Sequence, residues 1–147
     1  MKDVKSEDSR LARLTSYFES LSPMALQRLE EIYMPEARFK DPFNDVAGIP
    51  AIRAVFEGMY RQVDRPRFVV TRAFCQGDDA FLSWDFLFFF KGDQTREQTI
   101  RGATHILFGA DGRVALHRDY WDAAEELYEK LPVLGSLMRW LKRRARH

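Results

Sequence analysis

Apolar residues in the first part of the chain recur every three or four positions, which is the spacing of amphipathic helices. A first helix is predicted over residues 11–21. A second begins after Ser22 and Pro23, where Ser22 can cap the free amides and Pro23 fits the first turn. A third helix is predicted to begin at Gly48. The apolar sides of the second and third helices are Leu26, Leu29, Ile32 and Tyr33, and Ile52, Val55, Phe56, Met59 and Tyr60.

After Pro66 the pattern changes to strands. Aromatic and β-branched residues dominate residues 67–76, 80–91, 95–108 and 113–121, and short turns rich in glycine and aspartate separate these segments. Such turns join successive antiparallel strands, and a further brief strand is predicted over residues 37–41. The order predicts an α+β domain in which a curved antiparallel sheet packs its concave side against the N-terminal helices.

The last segment is predicted to be helical over residues 123–131 and 133–146, and it ends in a basic amphipathic helix. Trp140 stands among Arg139, Lys142, Arg143, Arg144 and Arg146. One hypothesis is a weak contact of this helix with an anionic membrane surface. The alternative is a helix that packs on its own sheet or on a partner chain and ends in a solvated tail.

The composition narrows the classes of function. The 147 residues fit a single domain over 1–147, with a core over about 10–131 and a basic helical tail over 132–147. The formal net charge of +1 gives no field that would hold nucleic acid. Cys75 is the single cysteine, and the polar start lacks the apolar core of a signal peptide, so we expect a cytoplasmic protein. The three histidines are too scattered for a metal site, and we expect no metal and no bound cofactor.

Two motifs carry a resemblance to a known superfamily. Residues 39–42 (FKDP), followed by Gly48 and a helix, and residues 117–122 (HRDYWD) resemble the nuclear transport factor 2-like superfamily, in its SnoaL-like and ketosteroid isomerase-like branch. The resemblance covers most of the chain. It implies a cone of helices and curved sheet around a deep apolar pocket, a small apolar molecule as the ligand, and a homodimer formed through the sheet.

Ketosteroid isomerases of this superfamily use a carboxylate base directly before a proline. A helical tyrosine 24 positions earlier donates to the developing enolate. Asp41 precedes Pro42 and Tyr17 lies 24 positions before Asp41, so the resemblance implies Asp41 as the base and Tyr17 as the oxyanion donor. The family's second donor is an aspartic acid in front of a sheet histidine. Thr104 precedes His105 instead, and this departure argues against a steroid isomerase.

Other branches of the superfamily place acidic residues on the sheet. Epoxide hydrolases use two carboxylates bridged by an arginine to activate water. Asp119 matches one carboxylate and Asp85 is a loosely aligned second, but Ser83 stands where the arginine is expected. SnoaL-like cyclases place an acid/base aspartate on the closing strands, and Asp119 matches that position. The resemblance therefore favours a SnoaL-like isomerase or cyclase over an epoxide hydrolase.

Strand geometry places the candidate acid/base residues of the last strand on one face. Because side chains alternate along a strand, His117, Asp119 and Trp121 lie on one side, and the resemblance orients that side toward the pocket. Asp119 and His117 can then exchange protons with a flat ligand beside Trp121. His105 is expected on the opposite side of the sheet from Thr104. The further candidate lining residues are Trp84, Thr104, Phe56 and Tyr60.

Each candidate also has a structural explanation. Asp41 before Pro42 is a common turn, and Tyr17 can be a core aromatic whose hydroxyl bonds a backbone carbonyl. His117 can be a structural strand residue, and Asp119 can pair with Arg118 or with a helix end. Two hypotheses remain open. The chain is either a cofactor-independent acid/base isomerase or cyclase acting on a small, largely apolar carbonyl compound, or a non-catalytic protein that binds an apolar small molecule.

Overall fold

The computed structural model describes residues 8–128 and 132–146, and these form helices packed on one sheet. The helices are α1 (Ser9–Glu19), a 3-10 helix (Met24–Glu31), α2 (Ile49–Gln62), α3 (Ala123–Glu126) and α4 (Pro132–Ala145). The strands are β1 (Tyr33–Lys40), β2 (Asp45–Ala47), β3 (Val63–Gln76), β4 (Asp79–Phe90), β5 (Gln98–Phe108) and β6 (Val114–Tyr120). The predicted order of helices followed by hairpins is confirmed.

The six strands form one sheet in the order β2-β1-β6-β5-β4-β3. Strands β3 to β6 are successive antiparallel hairpins, as the short turns predict. The first long strand behaves differently, because β1 pairs with β6 in parallel. The α+β architecture is therefore confirmed, with a mixed sheet rather than a wholly antiparallel one.

Capping side chains determine where the two N-terminal helices begin. Asp8 accepts from the backbone N–H groups of Arg10 and Leu11, which fixes the start of α1. Ser22 Oγ accepts from the Ala25 N–H at 3.1 Å, as predicted, but the helix that follows is a 3-10 helix that ends at Glu31. The prediction that this helix extends to Tyr33 is wrong, because Tyr33 is the first residue of β1.

The core lies between the concave face of the sheet and the helices α1 and α2. On β4 the side chains alternate, so Leu82, Trp84 and Phe88 are buried while Phe81, on the other face, is 42% exposed. Buried apolar side chains of α1 and α2 cover the concave face and complete the core: Leu11, Leu14, Phe18, Ile52 and Phe56.

The C-terminal helices bracket a short stretch that lies outside the described residues. α3 ends at Glu126, earlier than predicted, and residues 129–131 of the predicted helix are not among those described. Glu126 is buried and accepts from Arg101 Nε at 3.0 Å, which fastens α3 to β5. α4 occupies the range predicted for the basic helix. No helix in the described ranges is long and apolar enough to cross a membrane.

Tyrosine hydroxyls are buried at several points around the core. Tyr17 on α1 donates to the backbone carbonyl of Ala25 at 2.7 Å and so ties α1 to the 3-10 helix. Burial raises the pKa of Tyr17 to about 12. It also raises the pKa values of Tyr33 and Tyr60, since the charged phenolate is disfavoured away from water.

We expect Gly102→Ala to destabilise the fold. Gly102 on β5 lies opposite Trp84 on β4, and a Cβ atom at this position would overlap the indole ring. Moving a buried ring in a close-packed core costs about 1–3 kcal/mol of the free energy of unfolding, which denaturant titration measures. Ala103→Ser adds one atom on the exposed face of the same strand and should change this free energy by less than about 0.5 kcal/mol. Equal stability of Gly102→Ala and the wild type would contradict the packing.

The free energy of unfolding should fall as the pH rises from 10 towards 12. The tyrosines of the unfolded chain lose their protons near pH 10, whereas folded Tyr17 keeps its proton up to about pH 12. The folded state therefore binds more protons in this window, and raising the pH favours unfolding. Denaturant titrations at several pH values should give a shallower fall for Tyr17→Phe than for the control Tyr120→Phe, whose ring is half exposed. Identical slopes would contradict the burial of the Tyr17 hydroxyl.

Candidate functional site

A carboxylate and an imidazole meet on the concave face of the last strand. Asp119 on β6 lies opposite Thr104 on β5 in the antiparallel register, and His117 precedes Asp119 by two residues on the same face. Asp119 Oδ1 accepts from Thr104 Oγ1 at 2.6 Å and lies 2.7 Å from His117 Nε2. Two hydrogen bonds to one oxygen atom thus join three candidates from the sequence: Thr104, His117 and Asp119.

Two more side chains extend this contact into a row of hydrogen bonds. Trp84 Nε1 donates to Thr104 Oγ1 at 2.7 Å. The threonine hydroxyl therefore accepts a hydrogen bond from Trp84 and donates one to Asp119. At the other end, the Tyr33 hydroxyl lies 2.8 Å from His117 Nδ1. A neutral His117 with its proton on Nε2 donates to Asp119 and accepts from Tyr33, so every group has a partner. We call this row of five side chains the Asp119 network.

Tyr33 is the member of the Asp119 network that sequence analysis missed. It is fully buried, and burial, reinforced by the negative charge of Asp119, raises its pKa well above the ordinary value. The hydroxyl therefore stays protonated and can donate to His117. Tyr33 reaches His117, 84 positions away, through the parallel pairing of β1 with β6, and no local sequence pattern indicates such a contact.

A small space lies beneath the Asp119 network. Its volume is about 20 Å³, which is room for about one water molecule. The rings of Phe18, Phe56 and Phe68 occupy the interior, with Phe18 at 6.4 Å from each of the other two ring centres. These rings narrow the space at the position of the deep pocket that the resemblance implies, and that pocket stays a prediction. We call this space the inner cavity, and its lining is Phe18, Phe56, Phe68, Val70, Leu82, Trp84, Thr104, His117 and Asp119.

A larger space opens at the ends of β1 and β6. Its volume is about 730 Å³, within the range of small-molecule sites. Phe43 packs edge-on against Trp121, with ring centres 5.6 Å apart, and gives the space an aromatic wall. We call this space the outer groove, and its lining is Lys40, Asp41, Pro42, Phe43, Asn44, Asp45, Arg118, Asp119, Tyr120, Trp121 and Asp122.

Asp119 borders both spaces. Its side chain is 18% exposed, and its Oδ1 atom makes both bonds to the Asp119 network. Within residues 8–128 and 132–146, no side chain or backbone group hydrogen-bonds the other oxygen, Oδ2. Asp119 therefore combines a fixed orientation with an acceptor atom that a molecule in the outer groove can use.

Asp41 borders the same outer groove, but its carboxylate closes the turn between β1 and β2. Oδ1 accepts from the backbone N–H groups of Phe43 at 2.8 Å and Asn44 at 2.7 Å. The Asn44 side-chain amide also donates to both carboxylate oxygens. These bonds match the structural explanation of Asp41, and its role as a base stays a prediction.

Tyr17 lies apart from the two aspartates. Its hydroxyl donates to the Ala25 carbonyl, and the residue lines neither the inner cavity nor the outer groove. Asp41 and Asp119 therefore line one space without Tyr17, because α1 directs the Tyr17 phenol toward the 3-10 helix. Of the other candidates, Phe56, Trp84 and Thr104 line the inner cavity, Trp121 lines the outer groove, and Tyr60 lines neither.

Asp85 and His105 lie on the opposite face of the sheet from Asp119. Asp85 follows the inward-facing Trp84 and pairs in register with Arg101, so it cannot meet Asp119 across the inner cavity. His105 is also on this outer face, as expected, where it lies 2.7 Å from Asp79 and stacks on Phe81. The described part of the chain contains no group of three or more potential metal-ligating side chains.

Comparisons with solved structures match this architecture. An NTF2-like protein of unknown function from Burkholderia pseudomallei K96243 has a TM-score of 0.70 at 14% identity, over 80% of this chain and 94% of that chain. A second neighbour is a hypothetical protein with a ketosteroid isomerase-like fold from Catenulispora acidiphila DSM 44928, which was solved in complex with trimethylamine. It has a TM-score of 0.67 at 16% identity, over 81% of this chain and 89% of that chain. An LEH-like epoxide hydrolase from M. tuberculosis has a TM-score of 0.67 at 13% identity, over 90% of this chain and 96% of that chain.

At these identities the solved structures show the fold alone. No curated protein sequence matches the chain. The family model of the SnoaL-like domain matches residues 14–117, which is more than half of the 147 residues. The match includes the second half of α1, all of α2 and every member of the Asp119 network except Asp119. The chain therefore belongs to the SnoaL-like domain family and has the NTF2-like, ketosteroid isomerase-like fold of its structural neighbours.

Proposed function

We propose that this protein is a cofactor-independent acid/base isomerase or cyclase that acts on a small, largely apolar carbonyl compound, with Asp119 as the base. The observation that carries the proposal is the position of Asp119. One carboxylate oxygen is held by Thr104 and His117, and the residue lies at the boundary between the inner cavity and the outer groove. A base whose orientation is fixed by its neighbours meets the geometric requirement for proton transfer.

The outer groove is the space that suits the substrate. The inner cavity holds about one water molecule, whereas the groove is large enough for a small organic molecule. Phe43 and Trp121 offer apolar surface beside Asp119. The Catenulispora acidiphila neighbour was solved with trimethylamine, and this supports a small organic ligand for the same fold.

Asp119 Oδ2 takes a proton from the carbon next to the substrate carbonyl, while Thr104 and His117 hold Oδ1 in place. Trp84 orients Thr104, and Tyr33 orients His117. The enolate oxygen that forms also needs a donor. The Tyr17 hydroxyl donates to the Ala25 carbonyl and Tyr17 does not line the outer groove, so it is a weaker candidate for this donor than the sequence implied.

The second function is non-catalytic binding of an apolar small molecule. The observation that favours it is the commitment of the Tyr17 hydroxyl to Ala25, which leaves the sequence-predicted oxyanion donor outside the outer groove. Binding needs the groove and its aromatic wall but no such donor. The two functions separate on whether Asp119 is required for chemistry or only borders the ligand.

We also propose that the chain is one domain, in the cytoplasm. Buried side chains from α1 through β6 form a single core, which supports one domain. Cys75 is a free thiol, which fits a reducing compartment.

A homodimer through the outer face of the sheet is a further part of the proposal. Phe74, Phe81 and Leu107 lie on that face with exposed fractions of 63, 42 and 36%, and the Phe74 and Phe81 rings stack at 5.7 Å. Exposed large apolar side chains gathered on one face of a sheet support a protein–protein interface.

Asp119→Asn should lower the catalysed exchange of α-protons for deuterium in a small apolar ketone such as cyclohexanone by about a thousandfold. Proton NMR in deuterium oxide follows this exchange without knowledge of the natural substrate. Ligand affinity, measured by titration, should be largely retained. Asp41→Asn is the matched control, because its side-chain oxygen can still accept the backbone bonds of the turn, and this variant should keep most of the activity.

The outcomes separate the alternatives. Loss of exchange in Asp41→Asn but not in Asp119→Asn would assign the base to Asp41. A wild-type protein that binds ketones in the outer groove but never accelerates exchange would overturn the enzyme proposal and leave the binding function.

Phe81→Lys should convert the dimer to a monomer, because it places a charge in the apolar patch. Sedimentation equilibrium gives the mass directly. Met24→Lys changes a residue that is 78% exposed on the 3-10 helix and should leave the dimer intact. A wild-type protein of monomer mass would exclude this interface.

A further inference from the structure

α4 exposes an apolar stripe to solvent. Trp140 and Leu141 follow Leu137 by three and four positions, so the three side chains share one side of the helix. The exposed fractions are 50% for Leu137, 47% for Trp140 and 44% for Leu141. Three large apolar side chains at helical spacing form the kind of surface that a partner covers.

The same helix is strongly basic. Residues 132–147 contain Arg139, Lys142, Arg143, Arg144 and Arg146, and no aspartate or glutamate. The remaining 131 residues carry eighteen basic and twenty-two acidic side chains, so the rest of the chain has the opposite sign. This separation of charge directs the α4 end of the molecule toward an anionic partner.

Basic groups stand next to the apolar stripe. At about 3.6 residues per turn, Arg144 follows Trp140 by one turn on the same side. Its guanidinium lies 5.5 Å from the centre of the Trp140 ring. An indole beside a guanidinium suits a lipid headgroup layer, where the ring enters the acyl boundary while the cation stays with the phosphates.

We propose that α4 attaches this protein to the surface of an anionic phospholipid bilayer. The helix lies in the membrane plane, with Leu137, Trp140 and Leu141 at the acyl boundary and the arginines at the phosphates. Its 14 residues are too few to cross a bilayer, so the attachment is peripheral. Charge decides against a second α4 as the occupant, because that helix would bring five like charges against these five. The proposal does not depend on the function of Asp119.

Vesicle flotation of the full-length protein tests the proposal. One set of vesicles contains equal parts phosphatidylglycerol and phosphatidylcholine, and the other contains phosphatidylcholine alone. The wild type should float with the anionic vesicles, remain unbound with the neutral ones, and lose binding as the salt concentration rises.

Two double variants probe the two components of the surface. Arg143→Gln/Arg144→Gln should lower the partition coefficient on anionic vesicles roughly thirtyfold, from about fivefold for each basic residue. Leu137→Ser/Trp140→Ser should lower it at least about tenfold. Arg61→Gln/Arg96→Gln removes the same charge from exposed positions elsewhere and should leave binding unchanged. Circular dichroism and the thermal midpoint confirm that each variant is folded.

Three results would overturn the proposal. The first is a wild type that floats with neither type of vesicle, and the second is equal binding to both. The third is a Leu137→Ser/Trp140→Ser variant that keeps its lipid binding but changes from dimer to monomer in sedimentation, since the stripe would then be an interface between copies of the chain.

Discussion

The hydrogen bonds that Thr104 and His117 make to one oxygen of Asp119 are the interactions on which the candidate site depends. A carboxylate that leaves water needs donors in its place, and the antiparallel register of β5 and β6 brings Thr104 opposite Asp119. Each donor is oriented in turn, by Trp84 at one end and by Tyr33 at the other. The site is therefore built from core residues, and its geometry is as rigid as the packing around it.

That packing also decides where chemistry can take place. Aromatic side chains of the core line the inner cavity, whose volume is about 20 Å³. The outer groove, at the ends of β1 and β6, remains open. Asp119 belongs to both, with one oxygen fixed by the core and the other without a partner among the described residues. A ligand in the groove can meet a preorganised carboxylate without opening the core.

Much of this arrangement could be predicted from local patterns. Short turns between aromatic strands identify the antiparallel hairpins, and alternation along β6 places His117 and Asp119 on the same face. The contact of Tyr33 with His117 could not be predicted, because it depends on a parallel pairing of strands far apart in the chain. The small volume of the inner cavity depends on how rings from α1, α2 and β3 pack together, and no spacing in the sequence encodes that packing. For Tyr17 the structural alternative, a bond to a backbone carbonyl, describes the contact that forms.

The position of the proton on the His117 ring tests the Asp119 network most directly. Every donor in the row from Trp84 to Tyr33 has an acceptor with only one tautomer of His117. Nitrogen NMR of the imidazole, with Tyr33→Phe as the assignment variant, distinguishes the two ring nitrogens. We predict that the proton of the ring lies on Nε2, where it donates to Asp119, and that the Nδ1 signal changes when the Tyr33 hydroxyl is removed. A proton on Nδ1, or a ring that exchanges rapidly between the two forms, would contradict the Asp119 network.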